Sequence, residues 1–180
     1  MQPFASYVAA KLLKMILLQF EILKKKPLVF VLNAISVIPN KLVDAHIVCN
    51  PLRLVSDIDK YKRFKNPIIT PYSYFSKAIR SKIQSNKIYD FGLKIKNKVF
   101  KFEENYVVLP NSLAITYAFG VCTSGNSNRI FLAGLDGYTK GSSKKFEMDD
   151  LLQNYKLEDK AKTITSLTPT SYKIKYIKNV

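Results

Sequence analysis

A chain of 180 residues with 29 Lys and Arg against 13 Asp and Glu carries a formal net charge of +16. That length suits one domain, and a 47% hydrophobic content supplies a real core, which excludes a disordered basic tail. The charge excludes an inert, neutral surface; it admits a polyanion, an anionic membrane face or a phosphate-bearing ligand as partner.

The charge is uneven. Residues 1–102 hold 19 basic and 5 acidic side chains, net +14, whereas residues 103–180 hold 10 and 8. Lys outnumbers Arg 25 to 4, a poor set for bidentate readout of phosphate and guanine. A nucleic-acid-binding role therefore ranks last among the readings below. The two cysteines, Cys49 and Cys122, each fall in an apolar segment without CxxC spacing, so both read as buried free thiols of a reducing compartment. The single histidine, His46, excludes any site that needs two.

Taken in chain order, residues 5–24 predict an amphipathic helix, with Lys24–Lys26 at its C-terminal dipole and Pro27 as its stop. Lys11, Lys14 and Glu21 interrupt its apolar residues, so it falls short of the ~20 apolar residues of a membrane span. Its charge also lies on the wrong side for an export signal, which predicts a cytoplasmic protein. Leu28–Leu32 is a continuous apolar run, the pattern of a parallel strand buried on both faces. Ala45–Cys49 repeats it, and Pro67–Thr70 predicts a third strand. Ser73 would cap a helix from Tyr74 to Gln84. Residues 86–105 alternate lysine with apolar residues and predict a basic hairpin or exposed insertion. Asn111 or Ser112 opens a buried helix over Leu113–Thr123, and Arg129–Ala133 predicts a fourth parallel strand. Lys140–Lys145 predicts a polar loop, Glu147–Tyr155 a helix and Thr163–Leu167 a fifth strand. Strands alternating with helices predict an α/β fold with a mainly parallel sheet of about five or six strands: a helix over 1–26, then one domain over 27–180.

Ligands of such sheets bind beyond the carboxyl ends of the strands. The groups there are Asn33 and Ser36, Asn50, Thr70 to Ser73, Asp136 and Tyr138, and Ser166 to Thr168, nearly all small, polar and uncharged. Asn33 and Ser36 suit a sugar or phosphate contact and equally an ordinary turn; the glycines of a dinucleotide fingerprint are absent. Asn111-Ser112 is a helix cap that could also cradle a phosphate. Tyr138, Ser142, Ser143 and Lys144 make a compact donor set for a leaving phosphate, or a solvated loop. His46, inside its strand, predicts a buried, satisfied histidine. No nucleophile elbow, Walker A loop, HExxH or Cys/His cluster occurs.

These strand ends resemble, in order, those of bacterial sialyltransferases and of the related glycosyltransferase-like domains in flagellin-glycosylating factors and surface-polysaccharide proteins, some appended to aldolase-like proteins. Asn33 and Ser36 keep an N-x-x-S spacing, with Ala34-Ile35 where the family has glycine-proline. Cys49-Asn50 matches a Cys-Asn pair closing the second strand. Thr70-Pro71-Tyr72-Ser73 falls at a third polar turn. Ser112 opens the phosphate-holding helix. Leu132–Tyr138 followed by Gly141-Ser142-Ser143 matches the family's last strand and loop, with Tyr138 at the position of a phosphate-binding tyrosine and Lys144 at that of a second.

The resemblance covers residues 27–177. It implies a Rossmann-like three-layer sandwich that binds a nucleotide-sugar, a cytidine-monophosphate sugar, without metal, and a glycan acceptor in surface-polysaccharide synthesis. Asn33, Ser36, Asn50, Ser73, Ser112 and Asp136 would hold the donor; Tyr138, Ser142, Ser143 and Lys144 would stabilise the leaving phosphate. The family's lid with its catalytic histidine has no counterpart after Phe146, which leaves two readings: a transferase acting by direct displacement with Asp149 or Asp150 as substitute base, or an inactive domain that still binds the nucleotide-sugar. The alternative is a non-catalytic accessory domain, or a piece of a longer aldolase-type protein. On either reading the lysines of the first part reflect codon bias and contact with the anionic inner membrane face, where lipid-linked glycans are built.

Overall fold

The computed structural model describes residues 26–35, 38–83 and 87–177. The helix expected over 5–24, and Ser36, lie outside these residues. The described residues divide into two compact units, Leu28–Asn126 and 127–177, and the architecture of each is mixed α/β with parallel sheets.

In the first unit, β1 (Phe30–Leu32), β2 (Ala45–Ile47), β3 (Ile68–Thr70) and β4 (Ile88–Asp90) form an all-parallel sheet in that order. The apolar runs read from the sequence are those strands: β2 and β3 are buried at every residue, as strands covered on both faces must be. Between β2 and β3 run α1 (Pro51–Ser56) and α2 (Ile58–Arg63). Asn50 starts α1, because its side-chain oxygen accepts the N–H groups of Leu52 (2.9 Å) and Arg53 (3.3 Å), with Pro51 at the first helical position. Leu54, Tyr61, Phe75 and Ile83 from the connecting segments bury against Val48 and Ile68 on one sheet face.

The helix expected over Tyr74–Gln84 is instead a turn at Tyr72–Tyr74, a short α3 (Lys77–Arg80) and a turn at Ser81–Ile83. Phe75 and Ser76 are extended, which delays the helix by three residues. The segment 86–105 is not an exposed insertion. Its first part is β4, and after Phe91 the chain continues as β5 (Gly92–Ile95). β5 pairs in parallel with β7 (Tyr106–Leu109), while β6 (Lys101–Phe102) pairs with β7 antiparallel. One extended segment thus serves β3 through its first half and β7 through its second. Phe100, Phe102, Val107 and Leu109 are buried, which is what holds this lysine-rich stretch in place.

Helix α4 (Ala114–Ser124) packs on β7, β1 and β2. Gly120 permits its approach: a Cβ there would lie 2.8 and 2.9 Å from the two methyl carbons of Val107.

In the second unit, β8 (Arg129–Leu132), β9 (Thr163–Ser166) and β10 (Lys175–Tyr176) form a parallel sheet in the order β10-β9-β8. α5 (Ser143–Lys156) joins β8 to β9 and buries Met148, Leu151, Leu152 and Tyr155. It starts four residues before the expected Glu147, because Ser142 is the N-cap and accepts the N–H of Lys145 at 3.3 Å.

Candidate functional site

The sequence-predicted residues fall into two groups, one in each unit. In the first unit, Asn33, Asn50, Ser73 and Ser112 all lie beyond the carboxyl ends of parallel strands. Asn33 follows β1 in the left-handed region at φ +58°, a conformation that asparagine tolerates. Its N–H donates to Ile47 O at 2.9 Å, which carries the β1–β2 ladder one residue past the strand. Asn50 spends its side-chain oxygen on the α1 cap, so its amide nitrogen is the group left for a ligand. Ser73 is exposed, and its N–H reaches both oxygens of Asp90 at 3.2 Å while its hydroxyl donates to the same carboxylate.

Ser112 is exposed but does not cap α4. The helix begins one residue later, with Leu113 in the cap position and no side-chain cap bond. Asn111 Oδ1 accepts instead from Leu113 N–H and from the Thr116 hydroxyl, both at 3.3 Å. The Ser112 carbonyl accepts the Cys49 thiol at 3.1 Å, which ties the end of β2 to the start of α4. Burial pushes that thiol up to about 12 and Cys122 to about 11, so both are protonated at neutral pH. Both are free, as expected, but only Cys49 is buried; Cys122 is half-buried.

Two buried polar groups lie close beneath this rim. Thr70 ends β3 fully buried, and its hydroxyl has no hydrogen-bond partner among the described residues. His46 is buried in β2, its ring stacked on Phe64 at 4.2 Å and edge-on to Tyr61 at 6.1 Å. Its Nδ1 lies 3.2 Å from Asn33 O, but its Nε2 has no partner, so the histidine expected to be satisfied is only half so. Burial lowers its pKa, against the smaller opposing effect of the Asn33 carbonyl.

In the second unit the loop after β8 and the loop after β9 are fastened together. Gly134 N–H donates to the Thr168 hydroxyl (3.0 Å), Ser171 N–H to Asp136 O (2.8 Å), and Tyr138 N–H to the Tyr172 hydroxyl (3.3 Å). Gly137, at φ +107°, has no room for a side chain: a Cβ would stand 2.0 Å from Ser171 Oγ. Asp136, Tyr138, Ser143 and Lys144 are exposed on this loop and the following helix turn, with the Lys144 ammonium 5.7 Å from the Tyr138 ring centre. Ser142 is committed to capping α5.

Neither carboxylate expected as a base is free. Asp149 is ion-paired to Lys145 at 2.8 Å, and Asp150 accepts from Asn154 at 3.0 Å. Lys145 also donates to Ser171 O at 3.1 Å and lies 4.6 Å from the Tyr172 ring centre.

Sequence reasoning missed Asp90, Lys145 and Tyr172. Asp90 was hidden because β4 was read as part of an insertion. The other two are recognisable only once the loops are seen together. Among the described residues no three His, Cys, Asp or Glu side chains gather as metal ligands would, and no helix is long and apolar enough to cross a membrane. No family model, curated protein or solved structure matches the chain.

Proposed function

We propose that the chain is a Rossmann-like, sialyltransferase-like domain that binds a nucleotide-sugar, a cytidine-monophosphate sugar, in surface-glycan synthesis. The observation that carries this reading is the rim of the four-stranded parallel sheet. Asn33, Asn50 and Ser73 follow the carboxyl ends of three adjacent strands, and Ser112 precedes α4 after β7. Such a rim is where α/β sheets hold ligands. Asn33, Asn50 and Ser112 offer hydrogen bonds rather than charge, and Ser73 holds the Asp90 carboxylate beside them; amides, hydroxyls and one carboxylate suit ribose hydroxyls and a base edge.

The domain binds without transferring. An inverting transferase needs a base at the acceptor hydroxyl. Asp149 and Asp150 are occupied by Lys145 and Asn154, and His46 is buried within its strand. That favours the accessory reading over the enzymatic one.

Calorimetric titration with cytidine and uridine nucleotides tests the proposal. Saturable binding of a cytidine nucleotide is expected, with no sugar release from its sugar conjugate. Absence of saturable binding at millimolar nucleotide overturns the reading, and measured transfer overturns the accessory part of it.

A further inference from the structure

We infer that the outward face of the β5-β7-β6 sheet is a docking surface for an acidic glycan chain. The choice of a glycan rests on the function proposed above; the surface itself does not.

The strand registers place the relevant residues on one face. Gly92 pairs with Tyr106, and Lys94 with Val108, which in turn pairs with Lys101. Lys94, Val108 and Lys101 thus form one row across three strands, with the two lysine backbones about 10 Å apart. The alternate residues Val107, Leu109 and Phe102 are buried on the other face. The outward residues remain open: Lys94, Lys96, Lys98 and Lys101 are exposed, and Tyr106 and Val108 are half-buried. Lys101 is paired to Glu103 at 2.6 Å. Lys94, Lys96 and Lys98 have no carboxylate partner among the described residues, and Lys98 sits in the turn between β5 and β6 with φ +57°.

Two tyrosines border this lysine row. The Lys94 ammonium lies 4.3 Å from the Tyr106 ring centre. Tyr74 is 56% exposed, and its ring edge comes within 3.1 Å of where a Gly92 Cβ would stand, so the glycine leaves a flat floor beside an open ring. Tyr74 adjoins Ser73, a member of the proposed nucleotide rim.

Charge complementarity calls for an anionic occupant, and the details select among anions. Every cation of the face is lysine, none arginine, which lacks the bidentate phosphate geometry favoured in nucleic-acid recognition. The Tyr106 ring is already covered by Lys94, so successive bases find no pair of open stacking platforms. A membrane would want exposed aliphatic side chains on the lysine face, but there the register offers only half-buried Val108, and Ile95, though 54% exposed, pairs with Leu109 and belongs to the opposite face. Spaced ammonium groups beside a single open ring suit an extended chain of sugar carboxylates, whose C–H faces can lie on Tyr74.

The test measures binding of the full chain to a polygalacturonate oligomer, with neutral dextran, single-stranded oligothymidylate and phosphatidylglycerol vesicles as comparisons. The triple variant Lys94→Gln/Lys96→Gln/Lys98→Gln is set against Lys41→Gln/Lys65→Gln/Lys87→Gln, which removes equal charge from residues preceding β2, β3 and β4. Polygalacturonate is expected to bind best, dextran not at all. The first variant should weaken binding about tenfold or more, and the second much less. Equal losses in both variants would show generic polycation behaviour and overturn the inference, as would tighter binding of the oligonucleotide or the vesicles. A nucleotide titration on the same variants keeps the two proposals apart. Glycan binding that depends on these lysines without any nucleotide binding refutes the nucleotide reading alone; the converse refutes this surface alone.

Discussion

Replacing Gly120 by alanine probes how α4 is seated on β7. The new Cβ would stand 2.8, 2.9 and 3.0 Å from Val107 Cγ2, Cγ1 and Cβ. Val107 is fully buried and β-branched, so it cannot swing away. Overpacking of this kind costs typically 1–3 kcal/mol, while the better helix propensity of alanine returns about 1 kcal/mol. Gly120→Ala should therefore destabilise by up to about 2 kcal/mol. Val107→Ala alone loses buried side-chain volume and should cost about 2 kcal/mol. In the double variant each change relieves the other, so the two costs should fall short of their sum by about 1 kcal/mol or more. Urea unfolding of the four proteins, with midpoints compared at constant slope, measures this. A Gly120→Ala chain more stable than the wild type, or strict additivity in the double variant, would refute the packing of α4 against β7.

His46 is the chain's only histidine, and burial lowers its pKa below the ordinary 6.5. Its contribution is fully present above pH 6.5, where folded and unfolded chains are both neutral, and is lost as the pH falls through the folded pKa, because only the unfolded state takes up the proton readily. The urea midpoint should drop between pH 7.5 and 5.5 in the wild type and change little in His46→Phe; equal drops would show that another group is responsible. Thr70→Val keeps the shape while removing a buried hydroxyl without a partner, so it should stabilise by about 1 kcal/mol, and a lower melting temperature would mean that the hydroxyl is bonded in solution. Cys49, buried and with its thiol raised by that burial, should resist a thiol reagent at pH 8 in the native protein and react fully in urea; fast native labelling of Cys49 would contradict its burial.

Much of this arrangement was legible in the sequence, for identifiable reasons. β1, β2 and β3 announce themselves as short apolar runs that end at polar residues, which is the mark of strands buried on both faces; β8 shows as Ile-Phe-Leu stopped by Gly134, and β9 as a β-branched stretch stopped by Pro169. β4 escaped because its exposed Tyr89 and Asp90, next to Lys87, look like surface chain; its place depends on pairing with β3, a contact between residues twenty apart. β7 carried a usable signal, Tyr-Val-Val-Leu stopped by Pro110, that the surrounding charges masked. Asn50-Pro51 likewise marks a helix start that went unread.

At the candidate site, chain order gave the strand-end positions but not the competition for their side chains. The Asn50 oxygen goes to a helix cap, Ser142 to another, and Asp149 to Lys145. These commitments depend on local backbone direction, which residue identity alone does not set.

The central claim is that the rim of the four-stranded sheet holds a nucleotide. An amide NMR titration of the isotopically labelled chain with cytidine monophosphate tests it most directly. Saturable shifts centred on Asn33, Asn50, Ser73 and Ser112 are predicted. No saturable shift at millimolar nucleotide, or shifts confined to lysine-bearing surface away from these residues, would contradict it.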